Sequence, residues 1–408
     1  MEIIKKSTWA AISCAAMVTL SACNSNDGPT TGGSGNNTIQ ATTSNYFGYT
    51  RVVANVLAND ALHVYALWMG NNNLNATDAQ KVADLELPAI TDAGYAARFK
   101  SHATGDQVYG SELACLYAIV DGAIDIATEV ADAKMGEPYN AGDVYGVESW
   151  YSFNSYTDYD DNIESIENSF MGGPEATRDE ANSFYTYCIN KGGTLASAAE
   201  AVKTAIANSH EALDQAAAKG CFRDAVLAKA QGTNSAEVEN AIEIIGGLSS
   251  ALDNLRTALS SVEIGSDAQP VIDNYVDATV LPTYQNLKEE TVVLQQAVEN
   301  FIQSPTQANL DAACQQWKIT RVPWELSEAF LFGPVADQSI DPHLDSWPLS
   351  QTNIIAILRG NFNWDEEDGN SMGANTLGFH TLEFLLFENG APRNVSEFIN
   401  GETVTINF

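Results

Sequence analysis

Two runs in the last third of the chain carry side chains whose types and spacing could do chemistry. In GFHTLEFLLF (residues 378–387), His380 and Glu383 stand three apart, so on a helix both project from one face. That spacing lets them share one ion or one water. Their neighbours Phe379, Leu382, Phe384, Leu385, Leu386 and Phe387 imply burial, and a buried ionisable group needs a partner or a ligand. In WKITRVPWELSEAFLFGP (residues 317–334), Arg321, Glu325 and Glu328 follow at steps of four and three and share a helical face. Asp337, Asp341 and Asp345 come next, ahead of Trp347 and Pro348. One imidazole among several carboxylates is a hard, oxygen-rich donor set that suits iron or a similar cation better than a thiophilic metal.

Catalytic arrangements of known type fit these residues poorly. A helical zinc protease needs two histidines, a third ligand and a general-base glutamate. The chain has five histidines (His63, His102, His210, His343 and His380), no His-Glu-x-x-His, and Phe384 where the inverted motif needs a second histidine. No Gly-x-Ser-x-Gly elbow marks a serine nucleophile. The ferritin-like di-iron pattern uses Glu-x-x-His twice; here the order is reversed and occurs once. The plain alternative is that His380 and Glu383 form a hydrogen-bonded pair that specifies packing. Asp60 and His63 share the same spacing and read as a solvated helix face, while Trp324, Trp347 and Trp364 read as core anchors.

The elements that must position these residues are helical. Val238, Ile242, Ile245, Leu248, Leu252, Leu255, Leu259 and Val262 alternate steps of three and four, one stripe of a long helix. Leu287, Thr291, Leu294, Val298 and Phe301 repeat it until Ser304 and Pro305 stop the helix. Residues 46–69, 109–134 and 194–218 read the same way, and 402–407 is the one fair strand candidate. The pattern predicts an all-α protein of two packed helical bundles, residues 45–265 and 266–408.

The charge balance is 19 basic against 53 acidic residues, a net −34, which excludes nucleic-acid binding through phosphates. Residues 1–22 have the layout of an export signal: Lys5 and Lys6, an apolar run from Trp9 to Leu20, then small residues before Cys23. Leu-Ser-Ala-Cys23 resembles the lipobox of bacterial lipoproteins, which makes Cys23 the expected lipidation site. The apolar run is too short to span a bilayer, so the expectation is a lipid-anchored protein of the cell envelope. The anchor sits on a membrane face or the cell surface, joined by a tether over residues 23–44. Cys115, Cys188, Cys221 and Cys314 show no metal-binding or redox spacing and read as buried thiols or one disulfide.

The blocks around 317–334, 347–348 and 378–387 together resemble the imelysin-like family, whose signature is Gly-x-His-x-x-Glu followed by an aromatic and leucine run. The family's Glu-Ser-x-x-Ser, Asp and Asn-Ile block is similar to residues 148–163, with Glu148, Ser149, Ser152 and Asp158. In typical members the histidine block comes first, so the chain is expected to be circularly permuted, the resemblance covering roughly 45–395. The resemblance implies either of two roles, proteolysis or iron or haem uptake alongside other uptake components. It also implies a cleft between the bundles. There His380, Glu383 and Glu328 would hold a metal, and Arg321, Glu325, Glu148, Ser149, Ser152 and Asp158 would meet the ligand.

Overall fold

A computed structural model describes residues 38–365, 367, 369, 371–399 and 402–407. The predicted signal peptide, Cys23 and most of the predicted tether lie outside the described residues. The end of the predicted tether does not: Thr38–Thr42 is a strand, β1, and helix α1 starts at Thr43. The strand forms because Ile39 and Ala41 alternate with polar residues and are buried, as are Val404 and Ile406 of its partner. The Thr42 side chain then accepts from the Asn45 amide, capping α1 where the strand ends.

The helices that build the bundles and their seam are α1 (Thr43–Met69), α2 (Glu112–Glu129), α3 (Ser155–Met171), α4 (Gly193–Ala217), the shorter α5 (Phe222–Ala230), α6 (Ala236–Leu259), α7 (Leu281–Gln303) and α8 (Gln307–Glu325). The short α9 (Asp341–Asp345) and α10 (Gly378–Leu386) complete the site. Sheet among the described residues is confined to two antiparallel pairs. β2 (Phe387–Glu388) pairs with β3 (Ala391–Pro392), and β1 pairs with β4 (Thr403–Asn407). The fold is all-α, and the stripes predicted on α6 and α7 are the faces they bury. Among the described residues no helix is long and apolar enough to cross a membrane.

One bundle packs α2, α3, α4 and α6; the other packs α1, α7, α8 and α10. The division predicted at residue 265 therefore does not separate the packing units, because α1 lies along α7 and α10 from the far end of the chain. A hydrophobic stripe records that a helix needs a partner, not which one. α1 is buried almost all round, with Tyr46, Tyr49, Val53, Leu57, Val64 and Trp68 in the core, as expected of a helix that is apolar on every face. α2 continues past Glu129 as a π-helical turn, Val130–Gly136. Pro138 has no N–H to offer the Lys134 carbonyl, which accepts from the Tyr159 hydroxyl at 3.1 Å instead.

The β1–β4 ribbon sets Thr38 opposite Asn407, so the ends of the described chain meet. A chain closed by a short linker there and opened in the loop after α6, near residue 266, should fold cooperatively, since every helix stays whole. Loss of the sharp urea transition in that permutant, with the parent intact, would show that the ribbon cannot be traded for a linker.

Candidate functional site

The seam between the bundles brings together α8, the turn Glu328–Phe330, α9 and α10 from one side, with α3 and the loop 148–154 from the other. Each motif residue has an identifiable task there. Gly378 has a φ of +78°, and a Cβ on it would lie 2.3 Å from the Leu344 carbonyl oxygen. The glycine lets α9 press against the start of α10, which carries Asp345 to His380. Gly378→Ala should cost about 1–3 kcal/mol from backbone strain alone, plus whatever is lost when α9 is pushed away. Urea denaturation checks this, and an unchanged midpoint would show that α9 is not held by that contact.

His380 is fully buried, with Nδ1 3.1 Å from Glu383 Oε2 and Nε2 3.1 Å from Asp345 Oδ1. Burial alone would lower its pKa, but Asp345 outweighs it and the value rises to about 9. The ring is thus an imidazolium at neutral pH, with both nitrogens facing carboxylates. Trp347 packs edge-on against it, ring centroids 4.9 Å apart. Glu383 Oε1 accepts three hydrogen bonds, from the Tyr151 amide (3.0 Å), the Ser152 amide (2.8 Å) and the Ser152 hydroxyl (2.7 Å). The loop that aims these donors has Ser149 and Phe153 at positive φ. It is gripped from outside by Arg223 of α5, whose guanidinium lies 4.4 Å from the Trp150 ring centre and 4.1 Å from that of Phe153.

Arg321 is the other centre of this network. Its guanidinium, fully buried, pairs with Glu325 and Asp345, and its Nε lies 3.6 Å from Asp158 Oδ2. Asp158 also accepts from the Ser149 hydroxyl and from Asn154 Nδ2 at 2.7 Å. Asp345 accepts from Trp324 Nε1 at 2.7 Å, and Glu325 from Asn162 Nδ2 at 2.5 Å. Burial works against the Asp345 carboxylate, yet Arg321 and then His380 hold it well below the usual range. Every one of these groups is occupied by another.

Beside this network lies a second cluster with a different balance. Lys134, 4% exposed on the π-helical turn, has its Nζ 3.2 Å from Glu148 Oε2 and 3.9 Å from Glu129 Oε1. Glu328 is 7% exposed and has no hydrogen-bond or ion-pair partner among the described residues. Burial pushes its pKa far up, and the charges acting on it most are Lys134, Glu325, Glu129 and Asp341. Asp341 is likewise raised, first by burial and then by Asp345.

Seven of the predicted residues are thus joined in one network: Arg321, Glu325, Ser149, Ser152, Asp158, His380 and Glu383. Glu148 and Glu328 belong to the Lys134 cluster. The predicted metal set of His380, Glu383 and Glu328 is not assembled. The Glu383 carboxylate is taken up by four donors, both His380 nitrogens face carboxylates, and no hydrogen bond or ion pair among the described residues joins Glu328 to either. Among the described residues no group of three histidine, cysteine or acidic side chains is arranged to hold a metal ion. The sequence reading missed Asp345 as the link between Arg321 and His380, and Lys134 altogether. Asp345 had a signal, two residues before the Trp-Pro; a lysine in a helix stripe had none. Asp60 and His63 are not on a solvated face: His63 is buried against the Pro88 carbonyl oxygen at 2.8 Å, and burial lifts Asp60 to about 7. Cys115, Cys188, Cys221 and Cys314 are free thiols, Cys221 partly exposed.

Two helical bundles clasped around a buried His-x-x-Glu pair and an arginine between carboxylates define the class of protein. The family model described as Imelysin (peptidase M75) matches residues 28–259 and 280–405. The chain belongs to the imelysin family. The crystal structure of an imelysin peptidase from Bacteroides ovatus is similar, with a TM-score of 0.73 and 35% identity, covering 86% of this chain and 96% of that one. Iron-regulated protein A of Synechococcus elongatus is 33% identical over 121 residues, 30% of this chain. The chain spans about a third of that relative's length, 32%.

Proposed function

We propose that this chain is an exported, lipid-anchored imelysin-family protein that serves iron uptake by taking ionic iron or an iron-containing ligand at the seam of its bundles. The observation that carries this reading is Glu328, 7% exposed and without a hydrogen-bond or ion-pair partner among the described residues, on which Lys134, Glu325, Glu129 and Asp341 act most strongly. Hard carboxylate oxygens suit iron, and a bound cation would favour the deprotonated form that burial disfavours. In this reading the carboxylates around Lys134 meet the ligand, while Arg321, Glu325, Asp158, Ser149, Ser152, His380 and Glu383 hold the walls that carry them. Similarity to a protein named as iron-regulated supports the physiological setting. The peptidase label gains nothing from this geometry, because the Ser152 hydroxyl donates to a carboxylate and His380 has no free nitrogen to act as a base.

Anaerobic titration with ferrous ion tests the reading. Wild type should bind, and Glu328→Gln should bind at least about tenfold more weakly while melting no earlier, since the amide replaces a carboxyl that burial keeps protonated. A wild type that binds neither ferrous ion nor haem rejects the proposal. For the anchor, Cys23→Ala should move the protein to the soluble fraction; unchanged membrane association rejects that part.

A further inference from the structure

Glu383 is covered on one side by irregular chain, a strap over residues 148–154, while helices α1, α8 and α9 pack on α10 from other directions. The strap is held on both of its faces. On the inner face the Tyr151 amide, the Ser152 amide and the Ser152 hydroxyl donate to Glu383, and the Ser149 hydroxyl donates to Asp158. On the outer face Trp150 and Phe153 are half-buried, and the Arg223 guanidinium lies over both rings. Arg223 Nη2 also donates to Asn389 Oδ1 at 3.3 Å, in the turn that joins β2 to β3. The next amide, that of Gly390, donates to the Tyr151 carbonyl at 2.8 Å. A Cβ on Gly390 would lie 2.4 Å from the Phe153 ring, so the turn presses directly on the strap.

The strap does not rest in a relaxed conformation. Ser149 has a φ of +50° and Phe153 a φ of +60°. A non-glycine residue in that region is strained and stays there only while its surroundings hold it. The Phe153 amide donates to the Ser149 carbonyl at 3.1 Å, which makes the strap a closed turn able to move as one piece. Swinging it outward would relax both residues and uncover Glu383 and His380, which are otherwise fully buried.

We infer that the strap 148–154 is a gate to the His380–Glu383 pair, sprung by its two strained residues and latched from the solvent side by Arg223. Contacts between a guanidinium and aromatic rings at a partly wet site are individually small, so the gate opens locally, well short of unfolding. As an entrance for a ligand the gate rests on the seam being the binding place proposed above. Its opening needs no ligand, so the gate and the binding reading stand or fall separately.

Amide hydrogen exchange at low urea tests this. In wild type the Tyr151 and Ser152 amides should exchange at least about tenfold faster than the Ile163 amide within α3. Their rates should depend little on urea, because local opening exposes little surface. Arg223→Ala should speed that exchange about tenfold, the loss of two cation–ring contacts. The His380 ring N–H protons, shielded while the gate is shut, should exchange with water faster in the same variant. Should the variant fold poorly, the urea dependence in wild type decides alone. If Tyr151 and Ser152 exchange in step with Ile163 at every urea concentration, the strap opens only on unfolding and the gate is overturned. It is overturned equally if a folded Arg223→Ala leaves the two amides or the ring protons at their wild-type rates.

Discussion

Arg321→Leu should destabilise the fold by about 3–5 kcal/mol or more, the cost of stranding buried charges once their partner is removed. Three carboxylates depend on that guanidinium, those of Asp158, Glu325 and Asp345, so the loss belongs to a network and not to one pair. The direction with pH follows. In the variant the stranded acids bind protons more tightly than they do in the unfolded chain, and protonation relieves their repulsion. The deficit against wild type should therefore be largest near pH 8 and shrink towards pH 5. Urea denaturation at the two pH values decides it; equal deficits at both would show that lost packing against Phe379, 5.2 Å from the guanidinium, and not charge, is the source.

The wild-type protein should itself lose stability as pH rises from about 6.5 to 9. His380 holds its proton to about 9 in the fold against roughly 6.5 in the unfolded chain. Its contribution is full below the lower value and gone above the higher one. The full swing is on the order of 3 kcal/mol. Buried carboxyls add to it with the same sign. Burial lifts Asp60 to about 7 and Asp161 to about 9, while the unfolded chain releases those protons in the ordinary carboxylate range. Each such group therefore weakens the fold as pH climbs towards its raised value. His380→Gln should flatten the slope between pH 6.5 and 9 and leave the steeper acid-side trend of the carboxyls. A melting temperature that is level or rises across that interval in wild type would contradict the assignment of His380 as a buried imidazolium.

Much of the fold was legible because it rests on periodicity. The stripe from Val238 to Leu259 and that from Leu287 to Phe301 each report a helix with one buried face, and both helices bury those positions, Ile242 only in part. The helix 46–69 was equally plain, yet its place was not: nothing in its own residues says that its partners come from the other end of the chain. The site was legible to the extent that its chemistry is in side chains at helical spacing. His380 and Glu383 do share a face, and Arg321 and Glu325 do pair. What satisfies Glu383 was invisible, since two of its donors are the main-chain amides of Tyr151 and Ser152, and every residue but proline has an amide. The role of Lys134 was hidden for a related reason. Its inward turn depends on a π-helical geometry that a 3.6-residue reading cannot register.

The partnership of α1 with α7 and α10 also sets an order of events during synthesis. The first long helix to leave the ribosome is apolar on every side, and the two neighbours that cover most of it begin only at Leu281 and Gly378. At 5–20 residues per second, that leaves roughly ten to forty seconds between the end of α1 and the first residue of α7. Through that interval the helix-forming segment has only the short helices Ala76–Asp84 and Gly94–Ser101 to cover it. The opening helix of the fold is thus fully covered only once the end of the chain has arrived.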